Sequence, residues 1–272
     1  MLLLRPEPGD VALAEARATT NRVARTFALA CRLLPREVRD DVYRLYLVFR
    51  TLDDLVDDEV PGADARIAAV ERWCRGGGGR SPEIRVLEDL EARHDLPRDA
   101  LLAFCAGMRS DLERRPLLDE AAVDRYCYCV AGTVGIVMSC VLGFDGDPRR
   151  VHRAAAALGM AMQRTNILRD IDEDRDQGRT YVSDEAVARF GPPLPGHREA
   201  LLRDQIARAD ALYDEGIVGI DHLRRGRRAV RAAATMYREI LRQIERDGYG
   251  ARAGRAVVRR RRKLLLATRA SL

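Results

Sequence analysis

The stretch that decides the fold is Gln-Arg-Thr-Asn-Ile-Leu-Arg-Asp-Ile-Asp-Glu-Asp, residues 163–174. Its polar side chains recur at intervals of three and four residues, which places them on one face of a helix. They are Gln163, Asn166, Asp170 and Asp174. A buried polar stripe of this kind is costly unless it binds something. We therefore predict a helix whose polar face lines a binding site.

The spacing Asp170-x-Asp172-x-Asp174 also invites comparison with a calcium-binding loop. That loop requires glycine at its sixth position and glutamate at its twelfth. Here the sixth position is Arg175 and the twelfth is Tyr181, so a calcium loop is excluded.

A second acidic segment is Arg-Thr-Leu-Asp-Asp-Leu-Val-Asp-Asp, residues 50–58. It holds two pairs of aspartates, each four residues apart, with Cβ atoms about 5–6 Å from one another on a helix. Asp53 and Asp57 share a face with Tyr46, Phe49 and Arg50, so we expect this pair to point into the interior. The other pair, Asp54 and Asp58, is expected to be its solvated neighbour.

Two Asp-x-x-x-Asp pairs on separate helices favour a magnesium site. Mg²⁺ is typically held by one or two carboxylates, while substrate phosphates and waters fill its other positions. Facing acidic helices can thus clamp a diphosphate through several Mg²⁺ ions and promote its departure. One pair alone is more often a solvated acidic face, but both pairs together favour the metal site. An apolar wall beside them would shelter a carbocation from water.

Composition limits the class of protein. The chain has 272 residues, 47% hydrophobic and 33% charged, which is enough apolar material for a core and argues against disorder. The net charge is +5, and Lys263 is the single lysine. The basic run 259–263 comes with no nucleic-acid-binding motif, so we expect no nucleic-acid partner and at most peripheral membrane contact. No apolar run approaches about 20 residues, and a cytoplasmic location is expected.

Apolar periodicity is helical almost throughout, and strand-like alternation is nearly absent. We predict an all-α bundle of about ten helices. The predicted helices are 10–34, 38–56, 63–75, 81–94, 98–113, 119–143, 148–175, 198–223, 226–247 and 254–270. The six cysteines and four histidines have no metal-ligand or disulfide spacing, so we expect buried thiols and no metal on sulfur.

Several segments together resemble the squalene/phytoene synthase family, the all-helical enzymes that join isoprenyl diphosphates. They are residues 26–35, 46–57, 126–135, 163–174, 178–181 and 236–237, followed by the basic end of the chain. The resemblance implies one domain, residues 1–272, with an isoprenoid-synthase-type helical bundle around a central cavity.

The resemblance also implies roles for individual residues. The metal ligands would be Asp53, Asp57, Asn166, Asp170 and Asp174, with Gln163 in the same cavity. The phosphate-binding arginines would be Arg50, Arg169 and Arg179. The cavity tyrosines, which contact diphosphate or stabilise cations, would be Tyr46, Tyr126, Tyr181 and Tyr237. The apolar channel for the prenyl chain would be shaped by Phe27, Val130, Val134 and Gly135.

The implied reaction is head-to-head condensation of two farnesyl or geranylgeranyl diphosphates with Mg²⁺. NADPH is not expected, because no strand with a glycine-rich dinucleotide turn is present. Three departures from the family pattern, Arg164, Cys129 and Ala28, leave open a second prenyl site altered for an aromatic acceptor such as a carbazole. A non-catalytic helical protein that binds prenyl lipids is disfavoured, because all the expected carboxylates are present.

Overall fold

The computed structural model describes residues 17–18, 25–259, 261–263 and 265–266. Over these residues the chain is helical, with one isolated antiparallel bridge between Phe144 and Leu223 as its only β-pairing. The helices are α1 Arg25–Cys31, α2 Arg36–Asp57, α3 Ala63–Cys74, α4 Pro82–Glu91, α5 Arg98–Leu112, α6 Glu120–Cys127, α7 Thr133–Leu142, α8 Pro148–Asp176, α9 Asp184–Phe190, α10 Glu199–Val218 and α11 Arg227–Arg246. The all-α prediction is confirmed.

Local sequence signals explain where several helices begin. Ser81, Asp119 and Ser183 each accept a hydrogen bond from a backbone N–H in the first turn of α4, α6 and α9. Asp147 does the same for α8, and proline follows it at the first helical position. These side chains satisfy backbone donors that a helix start leaves unpaired, and proline needs no such partner.

The 29-residue helix α8 is the centre of the bundle, about 44 Å long at 1.5 Å per residue. It packs against α6, α7, α10 and α11. Gly135 on α7 has no room for a side chain, because a Cβ atom there would overlap the Ala155 carbonyl of α8. A Cβ atom on Gly159 of α8 would likewise overlap the carbonyl of Ala131, which lies just before α7. These glycines bring the two helices close together beside the cavity described below.

Three predicted boundaries were wrong. The predicted helix 119–143 is interrupted by a π-helical turn, Tyr128–Gly132, where the Thr133 hydroxyl donates to the Cys129 carbonyl. Helix α9 was not predicted. The predicted helix 254–270 is non-helical from 254 to 259, where backbone and side-chain contacts to other elements hold the chain. Of the predicted helix 10–34, residues 10–16 and 19–24 lie outside the described part, as do 260, 264 and 267–270 of the terminal one.

The stretch Glu120–Leu142 is long and apolar enough to cross a membrane by length and composition, with a mean hydropathy of 1.5. Much of it nevertheless packs inside the bundle, although Tyr128 is exposed. Cys127, Val137 and Val141 are completely buried, and α7 packs on α8. Within the described residues this stretch is therefore a core element of the bundle.

Candidate active site

A large cavity of about 1100 Å³ lies within the bundle. Every site residue predicted from the sequence lines it: Phe27, Tyr46, Arg50, Asp53, Asp57, Tyr126, Val130, Val134, Gly135, Gln163, Asn166, Arg169, Asp170, Asp174, Arg179, Tyr181 and Tyr237. Along α8 the lining extends from Val151 to Asp174, a distance of about 34 Å along the helix. The acidic residues lie towards the C-terminal ends of α2 and α8, and the other end is apolar.

The first aspartate pair lies on the last turns of α2. Asp53 accepts a hydrogen bond from Arg50 Nη1 at 2.8 Å. Burial, together with the neighbouring Asp57 carboxylate, raises the pKa of Asp53 to about 7. The contact with Arg50 opposes this shift but does not cancel it. The pair therefore concentrates negative charge that a cation would stabilise.

The second pair lies on the last two turns of α8. Burial and the carboxylates of Asp170 and Glu173 raise the pKa of Asp174 to about 7. Asp170 accepts a hydrogen bond from Arg169 Nε at 2.7 Å. It also forms an ion pair with Arg255, whose Nε lies 2.9 Å from Oδ1 and whose Nη2 donates to Oδ2 at 3.4 Å. The second pair therefore resembles the first, because burial and neighbouring carboxylates raise the pKa of one aspartate in each.

Arginines connect both pairs to neighbouring elements. Arg179, in the loop after α8, donates to Asp57 Oδ1 at 2.6 Å and to the Asp57 carbonyl at 3.2 Å. It therefore joins the end of α2 to the end of α8. Arg50 also pairs with Asp54, so that carboxylate is not simply solvated as predicted. The guanidinium groups are well suited to bind phosphate oxygens in a bidentate manner.

The donor set fits Mg²⁺ held jointly with a diphosphate. Asn166 Oδ1 is buried in the cavity wall and has no hydrogen-bond partner among the described residues, although the amide nitrogen donates to Gln163 at 3.3 Å. In the described part of the chain, no three His, Cys, Asp or Glu side chains converge to hold a metal by themselves. Mg²⁺ needs only one or two carboxylates when phosphate and water complete its shell. The oxygen ligands present meet that requirement.

Two tyrosines and an aspartate in the cavity lining contact one another. Tyr126 and Tyr181 stack with ring centroids 5.1 Å apart. Their hydroxyls donate to Asp111, Tyr126 at 3.1 Å and Tyr181 at 3.4 Å. Burial raises the pKa of Asp111 to about 6. Across the cavity Tyr46 stacks on Phe27 at 4.9 Å, so aromatic faces and hydroxyls both border the polar end.

The three departures from the family pattern do not line the cavity. Arg164 is 2% exposed and faces away from it, donating to Asp124 and Glu120 of α6 and to Gln205 of α10. Ala28 is buried in the core, and Cys129 packs at the position where Gly107 leaves space. Arg164 shares its side of α8 with Ile167 and Leu168, which lie three and four residues further on, and all three are buried.

Sequence reasoning missed several polar cavity residues, and two of them, Asp111 and Arg255, contact other residues of the site. Asp111 lies seven residues after Phe104 on α5, on the same helix face, and this periodicity could have revealed it. Arg255 was assigned to a predicted terminal helix, whereas it lies on a non-helical segment and also contacts Glu173 at 3.3 Å. No local sequence signal brings Arg255 to Asp170, because 85 residues separate them.

Comparisons with known proteins agree with this geometry. A family model described as squalene/phytoene synthase matches residues 20–262. The chain belongs to the squalene/phytoene synthase family. Among curated members of the family, it is 37% identical to a phytoene synthase of Thermus thermophilus, over 91% of this chain and 88% of that protein. It is 32% identical to a 15-cis-phytoene synthase of Synechococcus elongatus, over 97% and 95%.

Solved structures of the family show the same architecture. A dehydrosqualene synthase with a bound ligand superposes with a TM-score of 0.87 at 25% identity, covering 96% of each chain. The squalene synthase HpnC of Alicyclobacillus acidocaldarius gives a TM-score of 0.77 at 25% identity, covering 90% of this chain and 97% of that one. Fold and family predictions are therefore confirmed, and the protein is a prenyltransferase.

Proposed function

We propose that this enzyme condenses two geranylgeranyl diphosphates head to head, with Mg²⁺, to a phytoene-type hydrocarbon. The observation that carries the proposal is one cavity that joins two aspartate pairs to a long apolar channel. The 37% identity to a phytoene synthase supports the C20 substrate over the C15 substrate. A cytoplasmic location and a single domain over residues 1–272 belong to the same proposal.

The metal ligands in this proposal are Asp53, Asp57, Asn166, Asp170 and Asp174. Bound Mg²⁺ supplies charge neutralisation to the departing diphosphate. The arginines Arg50, Arg169, Arg179 and Arg255 bind the phosphate oxygens. Each of these arginines already contacts a cavity carboxylate, so both sets of ligands meet at the polar end.

The remainder of the cavity protects the organic cation. When one prenyl diphosphate ionises, its allylic cation alkylates the 2,3-double bond of the second, and loss of a proton closes a cyclopropylcarbinyl diphosphate. A second ionisation and rearrangement, with loss of another proton, gives the linear product. The stacked rings of Tyr126 and Tyr181 and of Tyr46 and Phe27 present π-faces that stabilise positive charge. The channel formed with Val130, Val134 and Gly135 excludes water.

An aromatic acceptor gains no support from the cavity. The residues that suggested it, Arg164, Cys129 and Ala28, lie outside the lining. The acceptor is therefore proposed to be a second prenyl diphosphate, and the reaction is proposed to run without NADPH.

The test is incubation of the purified protein with Mg²⁺ and dimethylallyl, geranyl, farnesyl or geranylgeranyl diphosphate, with and without a carbazole. Products are identified by mass spectrometry. A C40 hydrocarbon from the C20 substrate alone is expected. Diphosphate release that requires the carbazole, with no C30 or C40 product, would overturn the proposal. Asp145→Asn, on the exposed loop between α7 and α8, is the matched control for substitutions in the aspartate pairs.

A further inference from the structure

The segment of residues 250–258 crosses one side of the cavity's polar end. Arg255, Ala256, Val257 and Val258 all contribute to the lining, and Val258 is 4% exposed in the core. The segment is not helical, so it lacks the repeating backbone hydrogen bonds that hold a helix in shape. Its position must come from contacts with other elements.

Those contacts converge on Asp172. This carboxylate is on α8 between the metal-site aspartates, but its side chain is 6% exposed and is bonded to a different set of groups. Arg198 donates to both of its oxygens at 2.7 Å, and the backbone N–H of Gly254 donates to Oδ2 at 2.8 Å. The Arg198 guanidinium lowers the pKa of Asp172 below its usual range. A bidentate, buried, charge-assisted pair is among the stronger polar contacts in proteins.

Arg198 also contacts the segment itself, away from Asp172. It is 2% exposed and also donates to the carbonyls of Pro193 at 3.2 Å and Arg252 at 3.4 Å. Gly250, at φ +72°, lies directly against its guanidinium, and a Cβ there would overlap Arg198 Nε. Gly196 N–H donates to the Gly250 carbonyl at 3.0 Å. The segment is thus attached at Gly250 and Arg252 as well as at Gly254.

We propose that Asp172 and Arg198 are positioning residues that hold residues 250–258 across the polar end of the cavity. They place Arg255 on Asp170 and keep water from the prenyl cation. Asp172 therefore has a role distinct from Asp170 and Asp174, although all three lie within five residues. The proposal rests on the carbocation chemistry of the proposed function, because water that enters the cavity gives a prenyl alcohol only if a prenyl cation forms there.

The test compares Asp172→Asn, Asp172→Asn/Arg198→Gln and Gly254→Ala with the parent enzyme. The single Asn variant leaves the buried Arg198 charge unpaired, and the double variant removes that charge, which guards against simple failure to fold. Gly254 has φ +117° and open space for a Cβ, so Gly254→Ala strains the segment without touching the core. Gly76→Ala is the matched control, at φ +87° with open space in the turn after α3.

Two quantities are measured for each variant. One is the ratio of prenyl alcohol to hydrocarbon product, which reports capture of the cation by water. The other is the rate of tryptic cleavage at Arg252 and Arg255, which reports release of the segment without any turnover. Asp172→Asn and Gly254→Ala should raise both by about tenfold, which corresponds to about 1.4 kcal/mol. Gly76→Ala should change neither.

Faster cleavage with an unchanged alcohol ratio would overturn the proposal, because the released segment would then have no role in excluding water. Unchanged cleavage in Asp172→Asn would overturn the anchoring itself. Failure of the proposed function gives a different result: the parent enzyme then makes no hydrocarbon from any prenyl diphosphate, while the cleavage rates still report the anchor.

Discussion

Replacing Arg164 by leucine should cost stability and leave catalysis nearly intact. Arg164 makes four hydrogen bonds to Glu120, Asp124 and Gln205. Removing one partner of a buried pair costs about 3–5 kcal/mol. The Asp124 side chain is 48% exposed, so its share is small. Glu120 keeps hydrogen bonds from Ser183 and Gln205. We therefore expect the free energy of unfolding to fall by about 3 kcal/mol, the low end of that range.

The assay is urea unfolding of the parent, Arg164→Leu, Glu120→Gln and the double variant, with kcat and KM measured on each. The double variant should lose less than the two single losses combined, because the residues share one interaction. Since Arg164 faces away from the cavity, kcat should fall less than about threefold, or 0.65 kcal/mol. A kcat loss of tenfold or more with unchanged stability would refute this placement and return Arg164 to the active site. The matched control is Glu83→Gln, which weakens a buried pair with Arg66 far from the cavity.

Three further predictions follow from the cavity. Asp53→Asn and Asp170→Asn should each lower kcat by about 100-fold or more, which is the range for a lost group that stabilises charge in the transition state. The measurement is turnover as a function of Mg²⁺ concentration. Unchanged activity in both variants would contradict the metal roles. The melting temperature of the metal-free protein should rise as the pH falls from about 8 to about 6. The raised pKa values of Asp53 and Asp174 let the folded state bind protons that the unfolded state does not. A melting temperature that rises with pH would contradict this prediction, and Asp53→Asn should make the melting temperature depend less on pH. Val230→Phe, at the apolar end of the cavity, should shift preference from the C20 to the C15 substrate, measured as the ratio of kcat/KM values for the two.

The pH prediction has a definite window. The ordinary pKa of an aspartate is 3.8, so the unfolded chain has lost these protons well below pH 6. Carboxylates with lowered folded pKa values, such as Glu83 and Glu120, are ionised in both states above about pH 5 and do not contribute there. The destabilisation on raising the pH therefore comes from the cavity acids.

Local patterns in the sequence specified much of the site. Asp53 and Asp57, like Asp170 and Asp174, are four residues apart on helices, and helical geometry alone puts each pair on one face. The same periodicity placed Gln163 and Asn166 beside the second pair. Since these relations act within one or two turns, they survive in whatever bundle the helices form, and all the predicted residues were found in one cavity.

Other features depend on contacts between segments far apart in the chain. Residue spacing cannot show that Arg164 turns to α6 and α10, because the acidic partners that attract it lie 40 or more residues away. Spacing could have placed Asp111 on the cavity face of α5, but it could not have shown its hydroxyl donors, which come from α6 and from the loop after α8. A departure from the family pattern links Arg164 to an altered second prenyl site, and only packing places its side chain on the other face of α8.

The sequence by itself determined that the chain is helical, that it carries two aspartate pairs with neighbouring arginines, and that it resembles the squalene/phytoene synthases. The tertiary structure decided which partners each charged residue has, and therefore which role we assign to it. Asp170, Asp172 and Asp174 are nearly identical in sequence context, yet a rotation of about 100° per residue turns Asp172 towards Arg198 and Gly254 and leaves the others in the cavity. Burial and long-range partners, which no local pattern encodes, give these carboxylates their different roles.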